Sequence, residues 1–211
     1  GIQCEILDAP MDFNQLILKN TIIENISAWG IFSRGYRINA SNSVIKNCGE
    51  TALFLAQGGI YDFRHCTIGN YWSGSVRQTP SVVITNYYKD AFTNTIYAGN
   101  LEKCFFGNSI IYGNYENELL LDNQFGGSFE YTFDHCLLKV KTPTTNTNYI
   151  NCIYNTDPEF IYKSTHLLEL LPQSPAINKG KKNIALLINK DINGNNRMMD
   201  DAPDIGAYES I

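Results

Sequence analysis

Apolar positions in this chain come in short runs of four to six residues, and asparagine, glycine or serine interrupts them at near-regular intervals. Runs of that length predict strands, and long amphipathic helices are hard to find. Five segments share one order of residue types: apolar, any, Asn or His, small, apolar, aliphatic. They begin at Leu18, Ala40, Phe63, Phe106 and Phe133, and Tyr149 opens a weaker sixth. Their third positions, Asn20, Asn42, His65 and Asn108, are 22, 23 and 43 residues apart. Two further columns keep the beat, at intervals of 22, 23 and 44: Asn25, Asn47, Asn70 and Asn114, then Ile31, Leu53, Val76 and Leu120. The doubled interval predicts one extra coil with eroded markers around residues 80–99.

A period near 22 with three short runs per repeat predicts an all-β fold, a right-handed parallel β-helix in which each coil pairs with those above and below it. This is a single-stranded solenoid of about six or seven coils. Residues 1–156 form the coils, and residues 157–211 form the last coil and a C-terminal cap of the same domain. Leucine-rich repeats have a similar period but need a Leu-rich consensus. A sandwich or propeller would not hold three columns in register. Period-2 alternation sends Leu18, Asn20 and Ile22 one way and Thr21 and Ile23 the other, but a turn at Asn20 would change that assignment. Asn25, Asn47, Asn70 and Asn114 are expected at a bend, where stacked amides bond from coil to coil.

Composition sharpens this picture. The 24 asparagines exceed one residue in nine, and Asn tolerates the left-handed turns a many-cornered fold needs. With 18 % charged and 44 % hydrophobic residues the chain folds. A net charge of −5 argues against nucleic acid or an anionic membrane as the main partner. No run approaches the length of a membrane-spanning helix. A first residue of Gly without Met reads as a processed or cloned start, which leaves room for an export signal cut away before it.

Cys66, Cys136 and Cys152 fall in one column with Thr21, Ser43 and Ser109, as a tight interior stack of small side chains would accept. Buried free thiols are the simpler expectation. On adjacent coils, Cys136 and Cys152 would also lie close enough for a disulfide. No CxxC pair suggests structural zinc. His65 and His135 occupy the Asn column and are expected to replace an amide at a corner, ahead of any catalytic or metal-binding role.

After the coils come Asp157-Pro158-Glu159-Phe160, then Ser174-Pro175-Ala176-Ile177-Asn178-Lys179-Gly180, then Asp191-Ile192-Asn193-Gly194-Asn195-Asn196-Arg197, and finally Asp204-Ile205-Gly206-Ala207-Tyr208-Glu209. In these four ordered blocks the chain resembles the β-helix repeat proteins of bacterial surfaces that carry a choice-of-anchor Q type C-terminal module. The upstream coils resemble the wider pectate-lyase-like superfamily only in periodicity. The family often has Asp where Asn178 stands here, which weakens a charge-based role for that position. The segment is expected to shield an open last coil, with Asp204 to Glu209 as a final strand. Arg197 is the one cation among Asp191, Asp200, Asp201, Asp204 and Glu209, and it is expected to pair with Asp204 or Glu209. Asp191, Asn193 and Asn195, joined by Asp200 or Asp201, form an alternative calcium site of hard oxygen ligands. Gly194 at the fourth position and the missing Glu at the twelfth rule out an EF-hand.

The resemblance implies an exported bacterial protein at the cell surface, and a monomer is expected. Its rings Trp29, Tyr71, Trp72 and Tyr115 are the candidates for stacking on sugars, so the partner is a polysaccharide or surface glycan. Catalysis is not expected. A pectate-type lyase needs recurring carboxylates on one face, and Asp62, Asp122 and Asp134 sit on different parts of their coils. A galacturonan hydrolase needs Gly-His-Gly, which is absent, although Asn155-Thr156-Asp157 and Asp200-Asp201 mimic two of its motifs. A lyase or hydrolase remains the enzymatic alternative, and a passive stalk or adhesin module the structural one.

Overall fold

A computed structural model describes residues 1–5, 15–124, 126–162 and 167–210. Three parallel sheets run the length of a β-helix. Sheet I stacks Gln15–Lys19, Arg37–Ser41, Gly59–Arg64, Leu101–Gly107, Phe129–Asp134 and Tyr149–Ile150. Sheet II stacks Ile22–Ile26, Val44–Cys48, Thr67–Asn70, Ile110–Gly113, Leu137–Leu138 and Ile153–Tyr154. Sheet III stacks Ile2–Glu5, Ile31–Arg34, Leu53–Ala56, Val82–Thr85 and Leu119–Asp122. The described residues thus make six rungs, each passing from sheet I to sheet II, and the first four continue into sheet III. Among the described residues no helix is long and apolar enough to cross a membrane.

The corner between sheets I and II explains the sequence pattern. Asn20, Asn42, His65, Asn108, His135 and Asn151 all take positive φ, between 47° and 54°. Asn tolerates that left-handed region better than most residues, and His is enriched there too. Side chains in this file also bond between rungs. Asn42 Nδ2 donates to Asn20 Oδ1 at 3.2 Å, and Asn108 Nδ2 lies 3.0 Å from His65 Nε2. The left-handed residue also shifts the inward parity by one, so Leu18 and Thr21 both face the interior.

The next residue is small because its side chain turns back to a carbonyl. Ser43 Oγ donates to Ser41 O at 2.9 Å, Ser109 Oγ to Gly107 O at 2.9 Å and Cys66 Sγ to Arg64 O at 3.4 Å. Two residues before the corner, from the third rung to the sixth, aromatic side chains stack up the core. Phe63 lies 4.8 Å from Phe106, Phe106 5.2 Å from Phe133 and Phe133 5.0 Å from Tyr149, with ring planes 6° to 15° apart. Offset stacks of this kind add about 0.5–1.5 kcal/mol per pair beyond burial.

Three expected alignments shift. Phe63 pairs directly with Phe106, so the 43-residue step from His65 to Asn108 is one rung and not two. The surplus chain leaves the third rung as a loop over residues 71–81 and as a hairpin, Tyr87–Lys89 against Ile96–Ala98. Within that loop Val76 is 87 % exposed, and Val82 takes its expected place beside Leu53. One rung further on, Leu119 and not Leu120 aligns with Val82. Gly113, not Asn114, pairs with Asn70, and Asn114 is exposed.

The C-terminal segment caps the flank of the stack. Phe160–Tyr162 pairs antiparallel with Leu167–Leu170, and the chain then runs back across sheet II. Ala207 N donates to Thr67 Oγ1 at 3.0 Å and Gly206 N to Asn108 O at 2.8 Å, so the contacts fall on middle rungs. A Cβ on Gly69 would stand 2.3 Å from Leu168 Cδ1, which shows how close the flank lies. Val44, Ile110 and Leu137 on the outer face of sheet II form a second core with Leu168, Leu170, Ala176, Ile205 and Tyr208. Sheet II is therefore apolar on both faces, the pattern of a parallel sheet covered on both sides. Residues 204–209 form an irregular stretch where a final strand was expected.

Candidate functional site

The last three of the four C-terminal blocks meet in one buried polar network. Arg197, fully buried, donates from Nη1 to Glu209 Oε2 at 2.9 Å. Its Nη2 reaches Asn42 Oδ1 at 3.0 Å, Gly206 O at 3.1 Å and Ala207 O at 2.9 Å. Asp204 accepts from Asn178 N at 2.8 Å and from Ser210 N at 2.7 Å. Burial, with Asp204 nearby, pushes the Glu209 carboxyl up to about 7. Burial holds the Arg197 guanidinium below its ordinary value, while Glu209 and Asp191 oppose that shift.

In the expected calcium set, Asp191 spends both carboxylate oxygens on N–H donors. Asn193 N and Asn195 N reach Oδ1 at 2.9 and 2.7 Å, and Glu209 N and Asn195 Nδ2 reach Oδ2 at 2.8 and 3.2 Å. A carboxylate so committed is a loop clamp, and a cation would have to displace these bonds. No group of three or more His, Cys, Asp or Glu poised for a metal ion occurs among the described residues.

The expected sugar-stacking rings share the corner between sheets II and III but differ in access. Tyr71 is buried edge-on against Phe160, with ring centroids 6.2 Å apart, and belongs to the second core. Trp29 is 38 % exposed and stacks on Phe32 at 4.9 Å. Trp72 Nε1 donates to Ser75 Oγ at 2.9 Å, and Tyr115 is 38 % exposed beside the Arg77 guanidinium. Arg77 in turn forms a buried fork with Glu118, donating to Oε2 at 2.9 Å and to Oε1 at 2.5 Å. This pair pins the 71–81 loop. Asn47 Nδ2 donates to Asn25 Oδ1 at the neighbouring bend. One rung on, the Asn70 amide instead bonds Cys48 N at 2.9 Å and Glu50 O at 3.0 Å.

A further groove lies elsewhere, on the outer face of sheet I. It has a volume of about 510 Å³ and runs between the first three rungs and residues 187–190. Pairing aligns Ile17, Asn39, Asp62 and Phe105 in one outward file and Lys19, Ser41, Arg64 and Gly107 in the next. Asn39 Nδ2 donates to Gln15 Oε1 at 3.0 Å, and Asn42 Nδ2 to Lys190 O at 2.6 Å. Asp62 accepts from Arg64 Nε at 2.7 Å, Arg64 Nη2 at 3.1 Å and Lys103 Nζ at 2.6 Å. Burial works to raise the Asp62 carboxyl, but these donors outweigh it and hold the group below its ordinary value. Asp134, two rungs away in the neighbouring file, pairs with Lys181 at 2.7 Å and His135 at 2.6 Å.

The groove thus offers amides, a fixed guanidinium and aliphatic walls from Ile17 and Leu187. Such groups can orient hydroxyls. An Asp62 held ionised is a poor general acid. Sequence reasoning missed this face because its files emerge only once the parity change at the Asn20 corner is known.

No family model, curated protein or solved structure matches this chain.

Proposed function

We propose that this chain is an exported bacterial surface module that binds a polysaccharide or surface glycan along the outer face of sheet I. The groove over the first three rungs carries this reading. Its polar side chains project from strands about 4.8 Å apart and are fixed by mutual bonds, so little ordering is needed when a chain of hydroxyls lies across them. The four C-terminal blocks, with their likeness to choice-of-anchor Q modules, support the exported and surface assignment. A monomer suffices, since the groove is built within one chain, and neither nucleic acid nor membrane insertion enters the reading.

A glycan array probed with wild type and Arg64→Ala tests it. Binding to a restricted set of glycans is expected, weakened about tenfold by the loss of the charged fork. Unchanged binding in Arg64→Ala together with loss in Trp72→Ala or Tyr115→Ala would move the site to the aromatic corner. Unsaturated or new reducing ends released from a uronate polysaccharide would make the protein an enzyme, and silence in every assay would leave a passive stalk.

A further inference from the structure

We propose that Cys136 and Cys152 are a thiol pair that closes to a disulfide between the fifth and sixth rungs by exchange with a small-molecule disulfide. All six cysteines are free thiols. The sheet register sets this pair apart. Leu137 pairs with Ile153 and Leu138 with Tyr154, so Cys136 and Cys152 lie side by side just before them. Ile153 N donates to Cys136 O at 2.8 Å, which binds the two rungs at that point. Adjacent strands stand about 4.8 Å apart, inside the roughly 4.4–6.8 Å Cα range of disulfides.

The same register places other cysteines beside different partners. Cys4 aligns with Ser33, Cys48 with Ile26, and Cys104 with Tyr61 and Tyr131. In the small-residue file Cys66 N donates to Ser109 Oγ at 3.1 Å, and Ser109 separates Cys66 from Cys136. Only the last step of this file sets thiol beside thiol.

The two members differ in a useful way. Cys136 is fully buried, and its Sγ donates to Phe106 O at 3.3 Å. Cys152 is half-buried on the terminal rung, with Sγ 3.4 Å from Phe133 O. Burial pushes the Cys136 thiol well above its ordinary value. Cys152, the more accessible of the two, is therefore the attacking thiolate and Cys136 the resolving one.

Cys152 thiolate attacks one sulfur of the small disulfide, forms a mixed disulfide and releases one small thiolate. Cys136 then attacks Cys152 Sγ, passes its proton to that released thiolate and expels the second small thiolate, which takes up the proton Cys152 first gave to solvent. Two protein thiols lose two electrons, and one small disulfide becomes two thiols.

The whole protein, incubated folded with oxidised glutathione, tests this. Alkylation in denaturant followed by mass spectrometry should find two thiols lost and a crosslinked peptide joining positions 136 and 152. Amides near residues 149–155 should exchange more slowly, and reductant should reverse both changes. Cys136→Ser should stop at a glutathione adduct on Cys152, and Cys152→Ser should take up nothing at this site. Serine suits the position, since Ser43 and Ser109 hold it in other rungs. A stable adduct on Cys152 in the wild type, or an unchanged set of free thiols, would overturn the proposal.

Discussion

The stacked rungs and the C-terminal flank are held by opposite strategies. In the rungs each position is solved once and reused: Asn or His at the left-handed corner, a small hydroxyl or thiol next and, from the third rung on, an aromatic ring two residues before the corner. In the flank nothing repeats, and one buried guanidinium holds Glu209, Asn42, Gly206 and Ala207 at once. Stability in a stack is close to a sum of neighbour terms, so local damage should remain local. A network through one residue fails as a unit.

The largest effect is expected where that network is cut. Arg197→Met leaves Glu209 and Asn42 buried without their partner, a loss of about 3–5 kcal/mol in denaturant unfolding. If the flank is instead held by its apolar face alone, the loss will be far smaller. An intermediate, pH-dependent effect is expected at His65, where the two regions touch. Burial, reinforced by the positive charge of Arg197, keeps this imidazole well below its ordinary value of 6.5. The unfolded chain then binds a proton that the folded one refuses, so this contribution is present above pH 6.5 and is lost as the pH falls. Glu209 acts with the opposite sign. Its raised value favours the folded state most below 4.5, and that benefit fades as the pH rises through about 7. His65→Asn, using the residue found at Asn42 and Asn108, should flatten the acid limb of melting profiles below pH 6.5 and leave the Glu209 trend visible. A parallel limb in the variant would dismiss His65 as its source. The smallest effect belongs to the rungs: Cys66→Ser should melt within about 1 kcal/mol of wild type, because serine makes the same bond elsewhere in the file.

The same contrast sets what could be read from residue order. The corner file was legible because a left-handed backbone selects Asn, and its small neighbour was legible because a donor must turn back to a carbonyl. Val76 and Leu120 were misplaced because spacing counts residues, whereas a sheet needs only that the next strand return to its place. The flank residues could be picked out as blocks, yet no period says which rungs they will cover. The groove around Asp62 and Arg64 stayed hidden because one left-handed residue reverses which side chains face outward, and alternation alone carries no sign of that reversal.

The excursion from the third rung has a practical consequence. Tyr61, Phe63 and Phe106 keep their places although a hairpin ending near an almost fully exposed Phe92 projects between them in the chain. The scaffold therefore contains a natural splice point. Foreign peptide inserted around residues 92–94 would be displayed to one side of the column, and lengthening the turn there would alter what the molecule presents while the rungs keep their register.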